Sequence, residues 1–97
     1  MKPIENIIKE CINDLPLSTR VLFDCGFLKT EIDNENEPRN GHEIIHAKVY
    51  GKKIKFFSKN IDNHPKNHDQ RTFRKIIKDI FLHELDHCFG VTKGHSP

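Results

Sequence analysis

Asp69-Gln70-Arg71-Thr72-Phe73-Arg74-Lys75-Ile76-Ile77-Lys78-Asp79-Ile80-Phe81-Leu82-His83-Glu84-Leu85-Asp86-His87-Cys88-Phe89-Gly90 is the stretch that decides the fold. Phe73, Ile76, Ile77, Ile80, Phe81 and Cys88 recur at helical intervals, as one buried helix face requires. Lys75, Lys78, Asp79 and Asp86 fall on the opposite side. Asp69 is placed to cap the first turn, and Gly90 to end the last. The spacing predicts one helix from Gln70 to Phe89.

His83 and His87 are four residues apart, so on a helix they stack on one side, a turn apart. Two imidazoles at that spacing can reach a single zinc ion. His-Glu-x-x-His on a helix is the zinc-peptidase pattern, with Glu84 as general base. Helical geometry sets Glu84 near the centre of the apolar stripe. A carboxylate there is costly without a partner, and such misfits mark functional sites. The competing reading is two surface histidines beside a solvated glutamate.

A hydrolytic zinc site needs a third protein ligand and an open position. His95 is the first choice, because Gly90 and Gly94 let the chain turn back. Cys25, beside Gly26, is the rival. His42 and His46 are expected on strand faces, His64 and His68 in a loop, and Asp86 in solvent.

Outward from the helix, residues 43–58 read as a hairpin. Ile45, Ala47 and Val49 alternate on one arm, Ile54 and Phe56 on the other, around Gly51-Lys52. Residues 59–69 and 31–42 read as loops, and 19–29 as a strand broken at Gly26. Residues 3–15 predict an amphipathic helix with Ile4, Ile7, Ile8, Cys11, Ile12 and Leu15 on its apolar face. The fold class expected is α+β. A single domain over 1–97 combines an N-terminal helix, a short antiparallel sheet or hairpin, and a C-terminal active-site helix.

The 97 residues are 35% hydrophobic and 31% charged, which allows one small core and excludes a disordered chain. The net charge is +2, with basic and acidic residues interleaved, so no nucleic-acid partner is expected. Lys52, Lys53, Lys55 and Lys59 read as a solvated strand face. Three cysteines, no leader-like apolar segment and no membrane-length run predict a cytoplasmic protein with free thiols, away from membranes.

Over its last half the chain resembles the compact zincins of the SprT, WLM and YgjP-like group. The matching residues are Lys53-Ile54-Lys55-Phe56-Phe57-Ser58, Ile80 through His87, and Gly94-His95-Ser96-Pro97. The aromatic residue and further helix that follow in that group are missing here, so a truncated, inactive zincin stays open. His83 through Gly90 also resembles the His-Glu-x-Asp-His-x-x-Gly of peptide deformylases. Their Cys ligand finds only Asp24-Cys25-Gly26-Phe27-Leu28 as a counterpart, with Cys and Gly in the other order. His83 through Gly90 followed by a further His is similar to metzincins, but their third His stands two residues nearer than His95, and Met1 is the only methionine, which rules out their Met-turn.

The function expected is zinc-dependent hydrolysis of peptide or amide bonds. His83, His87 and His95 would hold the metal and Glu84 would move the proton. Tyr50, His46 and Arg71 are candidates to stabilise the oxyanion. The resemblance implies a peptide or protein substrate laid along Lys53–Ser58. A deformylase-like amide hydrolase using Cys25, or a non-catalytic zinc-stabilised binding module, are the alternatives.

Overall fold

Alternation along Lys53-Ile54-Lys55-Phe56 sends two lysines to one side of a strand and two apolar side chains to the other. In the computed structural model, which describes residues 3–65 and 69–90, this strand is the middle of the sheet. The elements in chain order are α1 (Ile4–Asn13), α2 (Leu17–Asp24), β1 (Lys29–Asp33), β2 (Arg39–Asn40), β3 (Glu43–Ile44), β4 (Ala47–Tyr50), β5 (Lys53–Phe57), α3 (Ser58–Asp62) and α4 (Gln70–Cys88). The larger sheet has the order β1-β5-β4, and β2 and β3 form a separate two-stranded ladder. The molecule is therefore α+β, with the site helix last.

The hairpin expected over 43–58 forms on a shorter span, as β4 and β5, with Gly51 at φ 64° in the turn, while Glu43–Ile44 pairs with β2 instead and Ile45 lies outside both strands. Ala47 pairs with Phe56 and Val49 with Ile54, so all four share the inner face. α4 lies against that face. Ile54, Phe56, Phe73, Ile77 and Phe81 are buried there with Ile7 and Ile8 of α1. Burial of such side chains contributes roughly 1.5–3 kcal/mol each. Arg74 of α4 pairs with Glu10 of α1 and approaches Asp14 at 3.9 Å. Among the described residues no helix is long and apolar enough to cross a membrane.

Several expectations are corrected. Residues 19–29 are not a strand. Pro16 opens α2, whose Leu22 and Phe23 pack against the core. Phe23 meets Phe81 with ring centroids 5.8 Å apart. Gly26, at φ 82°, ends that segment, and Leu28 N–H donates to Leu22 O at 2.9 Å.

Residues 31–42 are not all loop. β1 occupies Lys29–Asp33 and runs parallel to β5, so the sheet is mixed rather than antiparallel. Long-range pairing makes that strand, and its acidic composition hides it. Nor are residues 59–69 all loop, because α3 occupies Ser58–Asp62. Its Ile61 is buried, and the Asn60 side-chain amide donates to Ile45 O at 2.7 Å and Pro38 O at 3.1 Å. His68 and His95 lie outside the described residues.

Candidate metal centre

α4 carries the site, and both its ends are held. Asp69 accepts a hydrogen bond from the Thr72 backbone N–H at 2.8 Å, as expected of the N-cap. At the other end, Lys52 Nζ donates to Cys88 O at 3.0 Å. A cation there also complements the negative end of the helix dipole. The turn of the hairpin is thus tied to the residue next to His87.

One ligand atom from each of His83, Glu84 and His87 lies within 4.8 Å of the others. The two imidazole rings are 5.0 Å apart by centroid and nearly perpendicular, at 82°. Ligand atoms at zinc–nitrogen distances of about 2.0–2.1 Å sit roughly 3.4 Å apart in a tetrahedron. Two imidazoles are also donors that zinc accepts, and the Glu84 carboxylate stands beside them. The residues present therefore fit the metal inferred from the sequence.

Glu84 is half-buried, not central to the apolar stripe as helical angles alone imply. Leu85 takes the centre, with 5% of its surface exposed, and Cys88 continues it. Glu84 sits on the flank and borders a cleft of about 780 Å³. One wall is α4, through Asp79, Ile80, His83, Glu84 and His87. The other is the segment 43–49, from β3 into β4. Asp79 is exposed, as its place on the polar side predicts, and its spacing of four before His83 also puts it on this ridge.

The remaining sequence candidates disperse. Cys25 is exposed at the end of α2, its thiol against Leu22 O at 3.6 Å, and does not join the ligand group. Asp86 is exposed, as expected. Arg71 is exposed in the first turn of α4, far along the helix from His83. Tyr50 does not border the cleft.

His42 and His46 are not within strands. His42 is exposed between β2 and β3, and His46 links β3 to β4. His46 borders the cleft, and its ring lies 5.2 Å from that of His64. Burial, then the neighbouring His64, lowers its pKa below 6.5.

Burial raises the Cys88 thiol pKa, so this cysteine beside His87 is a core residue. A second groove of about 760 Å³, bordered by α1, β1 and α3, presents Glu5, Lys9, Glu31 and Asp62 but no histidine or cysteine. Among the described residues, the His83, Glu84 and His87 group thus borders the α4 cleft and not this groove. Comparison with protein-family models, with curated proteins and with solved structures yields no significant match to this chain.

Proposed function

We propose that this protein is a zinc-dependent hydrolase of peptide or amide bonds. The convergence of His83, Glu84 and His87 on one wall of an open cleft carries the reading. His83 and His87 would hold the ion, with His95 as the further ligand argued from sequence. Zinc in such a set supplies Lewis acidity, which acidifies water and polarises a carbonyl.

The chain's own residues do the rest. Glu84 takes the proton of the attacking water on a carboxylate oxygen and passes it to the leaving amine. Ile44, Ile45 and Ile80 give the cleft an apolar lining that holds a substrate chain away from bulk water. The substrate strand expected along Lys53–Ser58 is corrected, because β5 is paired on both sides. β4 is the edge strand beside the cleft, so its unpaired backbone edge is the place for an extended peptide.

The test combines metal analysis with hydrolysis of a quenched-fluorescent peptide library. Glu84→Gln should retain zinc and lose at least a hundredfold in rate, within the range for a general base. His83→Ala and His87→Ala should lose zinc. Full activity in Glu84→Gln, or unchanged zinc in both histidine variants, would overturn the proposal.

A further inference from the structure

Basic and acidic residues interleave in the sequence, but the sheet sorts them. Pairing sets Lys29, Lys53 and Tyr50 in one row across the strands, and Glu31, Lys55 and Lys48 in the next. These residues alternate with Thr30, Ile54 and Val49 in the adjoining inner row, so all six face outward. Lys52 and Lys59, grouped with them in the linear reading, do not belong. Lys52 reaches Cys88 O, and Lys59 lies on α3.

The result is an open basic face around one aromatic ring. Tyr50 is 46% exposed, with the ammonium groups of Lys55 and Lys48 at 5.3 and 5.6 Å from its ring centroid. Glu31 accepts from Lys53 and sits 3.2 Å from both the Lys53 and Lys55 nitrogens, which fixes those two cations in place. Lys29 and Lys48 are exposed and stand outside that cluster. In these two rows four lysines face one carboxylate.

We propose that this outer face binds single-stranded nucleic acid, with a base stacked on Tyr50 and phosphates on Lys29, Lys48, Lys53 and Lys55. The chemistry that selects this partner is the pairing of a flat aromatic surface with cations spaced along two rows. A base stacks on an exposed tyrosine whatever its identity, and phosphates exchange small counterions for fixed ammonium groups. Lys48 can leave the ring for a phosphate as the base takes its place. An acidic protein surface would use the lysines and leave the ring idle. Most of this face lies across the sheet from the α4 cleft, and Lys48, on the edge strand β4, borders both; the binding proposal does not depend on the hydrolase reading.

Fluorescence anisotropy with a fluorescein-labelled oligothymidylate tests it, on protein checked for folding by circular dichroism. Saturable binding at low salt is expected, weakening linearly on a log–log salt plot. Lys29→Ala with Lys48→Ala should lower the slope of that plot by about 1.4, at roughly 0.7 per phosphate contact. Tyr50→Ala should weaken binding about tenfold, within the range for one stacked base, while Tyr50→Phe stays near wild type. Glu31→Gln should bind more tightly. Absence of binding by the wild type overturns the proposal. So does an unchanged affinity in Tyr50→Ala, because lysines alone hold any polyanion.

Discussion

Lys55 and Phe56 are neighbours on β5, yet they belong to opposite faces with different physics. The inner face is closed by α4, and Phe56 is fully buried against Phe81, their rings 6.4 Å apart. The outer face is open over Lys48 and Tyr50 and carries its charges at the surface. Packing therefore resides on one side of the sheet and electrostatics on the other. Stability should answer to the first, and salt-dependent binding of polyanions to the second.

Phe56→Ala is the strongest way to break this division. It should cost about 3–5 kcal/mol, because a large cavity opens between β5 and α4. Lys55→Ala, one residue away, should leave the urea midpoint almost unmoved. Equal losses in the two variants would show that the faces do not differ as described.

A middle-sized effect belongs to His46, whose carbonyl accepts the Phe57 N–H at 2.8 Å and so extends the β4 side of the sheet. Its imidazole has a folded-state pKa below 6.5, so the folded protein favours the neutral form. The sign follows from linkage. This contribution to stability is present above pH 6.5 and is lost as pH falls toward the folded value. Urea midpoints measured from pH 7.5 to 5 should decline, and His46→Gln should flatten part of that decline.

The smallest effect is on the outer edge at Asp33. Its carboxylate accepts from the backbone N–H groups of Glu35 and Asn36, both at 2.9 Å, and from the Asn36 amide. These bonds hold its pKa at about 2 instead of 3.8. The associated stability is present above about 3.8 and is lost as pH falls toward 2. Asp33→Asn should shallow the acid limb in that window alone. A change near pH 6 in that variant would break the assignment.

The elements that the sequence announced are those whose partners are local. α4 shows its period over five turns and its Asp69 cap, and the β4–β5 hairpin shows alternation around Gly51. His83, Glu84 and His87 were legible because helix spacing alone brings them together. β1 was not, since a parallel neighbour far along the chain makes it a strand. α2 buries no residue fully, so its period was faint.

The position of Glu84 failed for a related reason. Leu85 competes for the stripe's centre, and only the tertiary partner of α4 decides between them. Cys25 and the Lys53–Ser58 docking strand failed because both depended on contacts beyond one element.

Parallel pairing of β1 with β5 also orders events in time. The hairpin closes through a two-residue turn, a step of about 1–10 μs in isolated hairpins. β1 must instead close the long intervening segment before its ladder returns any energy. The hairpin and α4 together contain both walls of the cleft from residue 47 onward. The hairpin thus comes before both later arrivals, β1 at 24 residues from its β5 partners and the α4 wall of the cleft at 30 or more from Val49, and it is the frame on which each must close.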